Sequence, residues 1–346
     1  MAHIYYTPSG AAVVVITPPR AGVRPERRGM NESSQEERPS DISLVGWSLA
    51  FGIMSIIIIT GNSIAIAVLT RRRLLRRRTS YFLLSLAVAD MTVGIFSVPA
   101  FIYQFVSFWQ HGSVSKSTLL NIVKAMDVFC GLGSTFTLTI IALERVYAIC
   151  FPIRHRTSTK RLYHALVSCV WILATLLSSL YFFHEYDLIE HKVFFWFLIL
   201  TFFSSMLVML LAYLAIWIKA RVQQMYFREA SVESSGAGSD RKRLPCINEN
   251  SSRDRSRRAI ENDRKLALTV FIVTTVFILT WLPFHVINLI VFLRCKSFPC
   301  LAQPSHQLIY TVKLLHYTNS ILNPVIYSLR LQDFRSTLKK FLYRKG

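Results

Sequence analysis

The sequence predicts an all-α membrane protein, a seven-transmembrane helix bundle with a short amphipathic C-terminal helix. Three observations predict it. Of 346 residues, 52% are hydrophobic, and mean hydropathy is +0.39. The apolar residues gather in seven long, nearly charge-free runs rather than in the amphipathic periods of a soluble protein. The net charge of +21 sits in the intervals between those runs. Charge so placed belongs to anionic lipid headgroups and to membrane orientation, which excludes a nucleic-acid partner.

Residues 1–43 are rich in Pro, Arg, Glu and Ser and predict a disordered tail. Asn31-Glu32-Ser33 is a glycosylation sequon, usable only if this end is extracellular. The bundle, residues 44–329, takes its spans from Leu44–Thr70, Ser80–Phe108, Ser117–Cys150, Leu162–Phe183, Val193–Arg221, Leu266–Leu293 and Ser305–Leu329. Each is long enough to cross a bilayer as a helix.

The loops set the orientation. Residues 71–78 carry six arginines, and the connector after the third span carries Arg154, Arg156, Lys160 and Arg161. Residues 219–265 carry twelve Lys or Arg, and the tail from Arg330 carries six. The loops between spans on the opposite side hold Lys116, Lys192, Arg294 and Lys296, and the N-terminal tail adds five arginines. The positive-inside rule therefore predicts an extracellular N-terminus and a cytoplasmic C-terminus. Residues 223–262 predict a flexible cytoplasmic loop. In 330–346, Phe334, Leu338, Phe341 and Leu342 alternate with Arg335, Lys339 and Lys340, which predicts an amphipathic helix on the inner leaflet.

The third run organises the rest. It carries Asp127 near its start, Ser134 near its middle and Glu144-Arg145-Val146 near its end. At 1.5 Å per residue, Asp127 and Arg145 lie roughly 27 Å apart, close to the thickness of a hydrocarbon core. Ionisable groups at such depths face a protein interior or a water-filled cavity, so each is a functional candidate; the alternative is pairing with neighbouring helices. No nucleophile–base or metal constellation points to an enzyme. Nor does a repeat between halves or a charge ring point to a transporter or channel.

Motifs then fall one set per helix: Gly61-Asn62, Leu86-Ala87-Val88-Ala89-Asp90, Glu144-Arg145-Val146, Trp171, Tyr213, Phe277-x-x-x-Trp281-x-Pro283, and Asn323-Pro324-Val325-Ile326-Tyr327 followed by Asp333-Phe334-Arg335. Together they resemble a class A (rhodopsin-like) G-protein-coupled receptor, over about Leu44 to Tyr343. The resemblance implies a signal transducer that takes a small extracellular ligand and activates a heterotrimeric G protein. It implies that Glu144 and Asp263 restrain Arg145 at rest, that Pro283 hinges the sixth span, and that Tyr213 and Tyr327 steady the open form. It also implies a sodium ion at Asp90, Ser134, Asn319, Ser320 and Asn323, and no organic cofactor; a protonated Asp90 in a hydrogen-bond network is the alternative.

For the ligand, the resemblance divides. Asp127 matches the acid that holds an amine in aminergic receptors, Tyr317 the tyrosine that hydrogen-bonds it, and Trp281 and Phe284 an aromatic wall. Lys313, one turn outward of Tyr317, and Lys124 are each placed to neutralise Asp127 internally instead. The run Trp281 to Asn288 and Thr318-Asn319-Ser320 look more like adenosine receptors, where His285 and Asn288 would contact a nucleoside. An opsin-like photoreceptor is a further alternative, but position 317 holds Tyr rather than the retinal-binding lysine. Three departures stand out: Leu120 replaces the family's cysteine atop the third helix, the loop 184–191 has no cysteine, and Ser205 replaces the fifth-helix proline. Cys295 and Cys300, four residues apart around Pro299 in an outer loop, form a disulfide candidate.

Overall fold

The computed structural model describes residues 2–6, 12–16, 41–71, 74, 79–111, 118–186, 188–236, 247–294 and 305–343. Its long helices are Asp41–Leu69, Thr79–Thr92 continued by Val93–Ser97 and Val98–His111, Thr118–Cys150, Lys160–Glu185, His191–Gly236, Ile247–Arg294 and His306–Arg330. They are called the first to seventh spans below. Two short helices, Pro152–Thr157 and Gln332–Tyr343, follow the third and seventh.

Among the described residues, the first six spans are long and apolar enough to cross a membrane by length and composition alone. The seventh is long enough, but Lys313, His316, Asn319 and Asn323 make it more polar. All four are buried, while Leu308, Leu315, Val325 and Leu329 are exposed. The polar groups thus turn into the bundle and the lipid face stays apolar, which is what the bilayer demands of a spanning helix.

The third span is the axis, packing against the second, fourth, fifth and sixth. The first and fourth are peripheral: 22% of the best apolar window is buried in each, against 61% in the second and 56% in the third. A core layer joins Leu86, Leu138, Met209, Phe277 and Tyr327 across five helices. Trp171 of the fourth span reaches in to donate to Ser85 Oγ at 2.9 Å.

The second span carries a feature that the apolar pattern did not predict. Residues Val93–Ser97 form a π-helical turn, with the Val98 N–H bonded to the Val93 carbonyl. In that register the next donor would be residue 99, which is proline and has none. The stranded Gly94 carbonyl instead accepts from Ser55 Oγ of the first span at 2.7 Å. Only glycine fits there, because a Cβ would lie 2.9 Å from side-chain carbons of Ile58 and Ile59. The turn rotates the C-terminal half of the span, and that half carries Phe101.

Two segments carry local structure that the apolar pattern did not predict. Within the tail read as disordered, Ala2–Tyr6 pairs antiparallel with Ala12–Ile16, Ala2 opposite Ile16. β-branched and aromatic residues in both segments favour strands locally, although the tail's overall composition is polar. The loop read as flexible is largely helical: the fifth span runs on to Gly236 and the sixth begins at Ile247. Gln, Met, Arg, Glu and Ala are good helix formers without an apolar stripe, so periodicity does not reveal them. The terminal helix follows its pattern. Phe334 is buried with its ring 6.1 Å from that of Tyr327, while Arg335, Lys339 and Lys340 are exposed. Cys295, Cys300 and Asn31 lie outside the described residues.

Candidate functional site

Helical spacing carries Asp127, Gly131 and Ser134 down one face of the third span. That face lines a cavity of about 60 Å³, room for a few waters, bounded opposite by Phe202, Trp281, His285, His316 and Tyr317. The cavity continues inward to Asp90 and Ser320, so both acids border one space. Gly131 lets the Trp281 ring approach closely: a Cβ there would sit 3.2 Å from it.

At the end of the cavity away from Asp90, Lys313 Nζ donates to Asp127 Oδ2 at 3.5 Å. The Lys313 side chain is 1% exposed and that of Asp127 15%. The ammonium lies 4.7 Å from the ring centroids of both Phe284 and Tyr317 and 5.7 Å from that of Phe101. These are cation–π distances. The expected Tyr317–Asp127 hydrogen bond is replaced: the Tyr317 hydroxyl donates to the Ser97 carbonyl at 3.4 Å. An ammonium binds a carboxylate more strongly than a phenol does, and Lys313 sits on the same helix face one turn outward.

Below this pair the wall is aromatic. His285 stacks on Phe202 with centroids 3.9 Å apart, and His316 lies 4.1 Å from Trp281 and 4.8 Å from Phe284. Trp281 Nε1, His285 Nε2 and His316 Nδ1 are buried with no hydrogen-bond partner among the described residues. Asn288 turns back, donating to the Phe284 carbonyl at 2.8 Å.

Deeper, the Asp90 carboxylate accepts from Ser320 Oγ at 2.8 Å and Asn323 Nδ2 at 2.7 Å. Ser134 lines the cavity beside it, and the buried Asn319 Oδ1 and Asn323 Oδ1 have no partner. A carboxylate, two hydroxyls and unsatisfied amide oxygens make a hard donor set, so these residues fit a sodium ion. Such an ion would supply positive charge against a carboxylate that is 1% exposed.

At the arginine-rich end Arg145 is 2% exposed. Its Nε donates to Glu144 Oε2 at 2.6 Å and its Nη2 to Thr79 Oγ1 at 2.8 Å. Glu144 Oε1 lies 2.9 Å from His155 Nε2 and accepts from the Tyr163 hydroxyl at 3.5 Å. Tyr213 is hydrogen-bonded to Thr274 at 3.0 Å, and the Tyr327 hydroxyl is buried without a partner. Asp263 is on the sixth span, but its side chain lies outside the described residues.

The comparisons with known proteins agree with this layout. The family model of the 7 transmembrane receptor (rhodopsin family) matches residues 61–327. The chain belongs to that family. Members of this rhodopsin family are signalling receptors rather than enzymes. The chain is 28% identical over 314 residues to octopamine receptor beta-2R of Chilo suppressalis, covering 84% of this chain and 78% of that one. It is 26% identical over 329 residues to the D(1) dopamine receptor of Carassius auratus, covering 84% and 86%. It is 27% identical over 332 residues to tachykinin-like peptides receptor 86C of Drosophila melanogaster, covering 86% and 58%.

Sequence reasoning on this rhodopsin-family receptor missed His316, Phe101, Thr79 and His155. His316 had a signal: it lies three residues after Lys313, hence on the same face. Phe101 reaches Lys313 from the second span, which packs beside the seventh, Thr79 opens the second span, and His155 lies in the connector after the third. No local spacing links any of these three to its partner.

Proposed function

We propose that this receptor binds a small ligand through an ammonium group held by Asp127, and that binding activates a heterotrimeric G protein at the Arg145 end. On this reading the arginine-rich end is cytoplasmic, and the mouth near Asp127 opens outside the cell. One observation carries it: Asp127 borders the cavity and already holds an ammonium, that of Lys313, ringed by Phe101, Phe284 and Tyr317. Relatives named as dopamine and octopamine receptors support the amine class.

Asp127→Asn tests it. Losing one partner of a desolvated charge pair costs about 2–5 kcal/mol, so potency of an ammonium ligand should fall about 30-fold to several-thousand-fold. Unchanged potency would reject the assignment. The nucleoside-like alternative draws on the unpartnered Nε2 of His285 in the cavity wall. It expects the opposite result, with potency lost in His285→Ala and kept in Asp127→Asn.

Sodium at Asp90 is part of the proposal. An ion that prefers the resting form opposes agonist binding by linkage. Raising sodium should therefore weaken agonist affinity, and Asp90→Asn should remove the dependence. Equal wild-type affinity in sodium and in a bulky organic cation would favour a hydrogen-bonded, ion-free Asp90.

A further inference from the structure

We propose that the ligand is a zwitterion, specifically an aromatic α-amino acid, whose ammonium goes to Asp127 and whose carboxylate goes to Lys313. This deepens the proposed function and rests on Asp127 as the ammonium site. The argument turns on what Lys313 does when a ligand takes its partner. Its side chain is 1% exposed, and three aromatic rings surround the ammonium. The other carboxylate bordering the cavity, Asp90, already accepts from Ser320 and Asn323. A simple amine that captures Asp127 thus leaves a desolvated cation with no anion among the described residues. Stranding one member of a buried pair is among the more costly events in a protein interior. It also adds a net positive charge to a site that the Asp127–Lys313 pair leaves neutral.

An amino acid avoids both penalties. It brings one charge of each sign, fixed two bonds apart, into a pair now separated by 3.5 Å. The Lys313 stem is flexible and its three donors rotate, so the ammonium can swing from Asp127 to an incoming carboxylate. The cavity of about 60 Å³ has room for a few waters only, so its lining side chains must move to admit such a ligand.

The side chain of the ligand follows from the inner wall. Phe202, Trp281, His285 and His316 offer ring faces, and Trp281 Nε1, His285 Nε2 and His316 Nδ1 are buried without partners. Unmet polar atoms in an aromatic slot suit a flat ring bearing a hydroxyl or an N–H, since each pairing removes a buried unsatisfied group.

The test uses compound pairs that differ by one carboxylate: tyrosine and tyramine, 3,4-dihydroxyphenylalanine and dopamine, tryptophan and tryptamine. Second-messenger response is read in cells expressing the full chain, and thermal stabilisation is read on the purified receptor. At least one amino acid should act at roughly 30-fold lower concentration than its amine. Lys313→Ala should invert that preference, because the carboxylate loses its partner and the amine no longer strands a cation. Lys313→Arg, which keeps the charge if the alanine variant folds poorly, should retain it. A wild-type receptor that prefers the amine, or on which none of the three amino acids acts in either assay, overturns the zwitterion. An amino-acid response indifferent to Asp127→Asn instead overturns the Asp127 reading beneath it.

Discussion

Arg145→Ala should abolish G-protein activation while leaving the receptor folded and at the cell surface. Arg145 is 2% exposed and committed to Glu144 and Thr79, so nothing docking at the arginine-rich end touches it as it stands. On the proposed function activation releases it, as a two-state switch requires. Glu144 is held in turn near His155 and Tyr163, so the restraint is a small network rather than one pair. Breaking a buried ion pair costs about 3–5 kcal/mol. Removing only the acid should release part of that restraint and raise ligand-independent signalling on the order of tenfold or more, since 1.4 kcal/mol is a factor of ten. Glu144→Gln should therefore be more active than wild type without ligand, and Arg145→Ala silent with it. The check is basal and stimulated second messenger normalised to surface receptor. An Arg145→Ala receptor that signals normally would remove Arg145 from the mechanism.

The spans were legible because lipid imposes a composition that needs no tertiary knowledge: a long apolar run has few other uses. Buried groups such as Asp90 and Arg145 stood out against that background for the same reason. Three things were illegible, each for a physical cause. The π-helical turn had a local signal in Pro99, but its repair by Ser55 comes from another helix. The helical extensions to Gly236 and from Ile247 have no apolar stripe, so the 3.6-residue period is silent there. The choice of Lys313 over Tyr317 for Asp127 was open, because both share a face and only the packed distance between the third and seventh spans separates them.

That pair yields the other large expected effect, this time on stability. Asp127→Ala leaves the Lys313 ammonium 1% exposed with no counter-charge, and breaking a buried pair costs about 3–5 kcal/mol. Lys313→Met leaves Asp127, which is 15% exposed and borders a cavity with room for a few waters, so its carboxylate can be partly hydrated. The loss there should be smaller, on the order of 1–3 kcal/mol for one group left short of a partner. The double substitution Asp127→Ala/Lys313→Met removes both charges and keeps apolar volume against Phe101, Phe284 and Tyr317. Replacing a buried pair by apolar groups is often neutral or stabilising, so the double variant should recover most of the Asp127→Ala deficit. Melting temperatures of the purified receptor, wild type and three variants, complete the cycle. Simple additivity in the double variant would mean that the two charges are not coupled and that Lys313 is held by its aromatic cage alone.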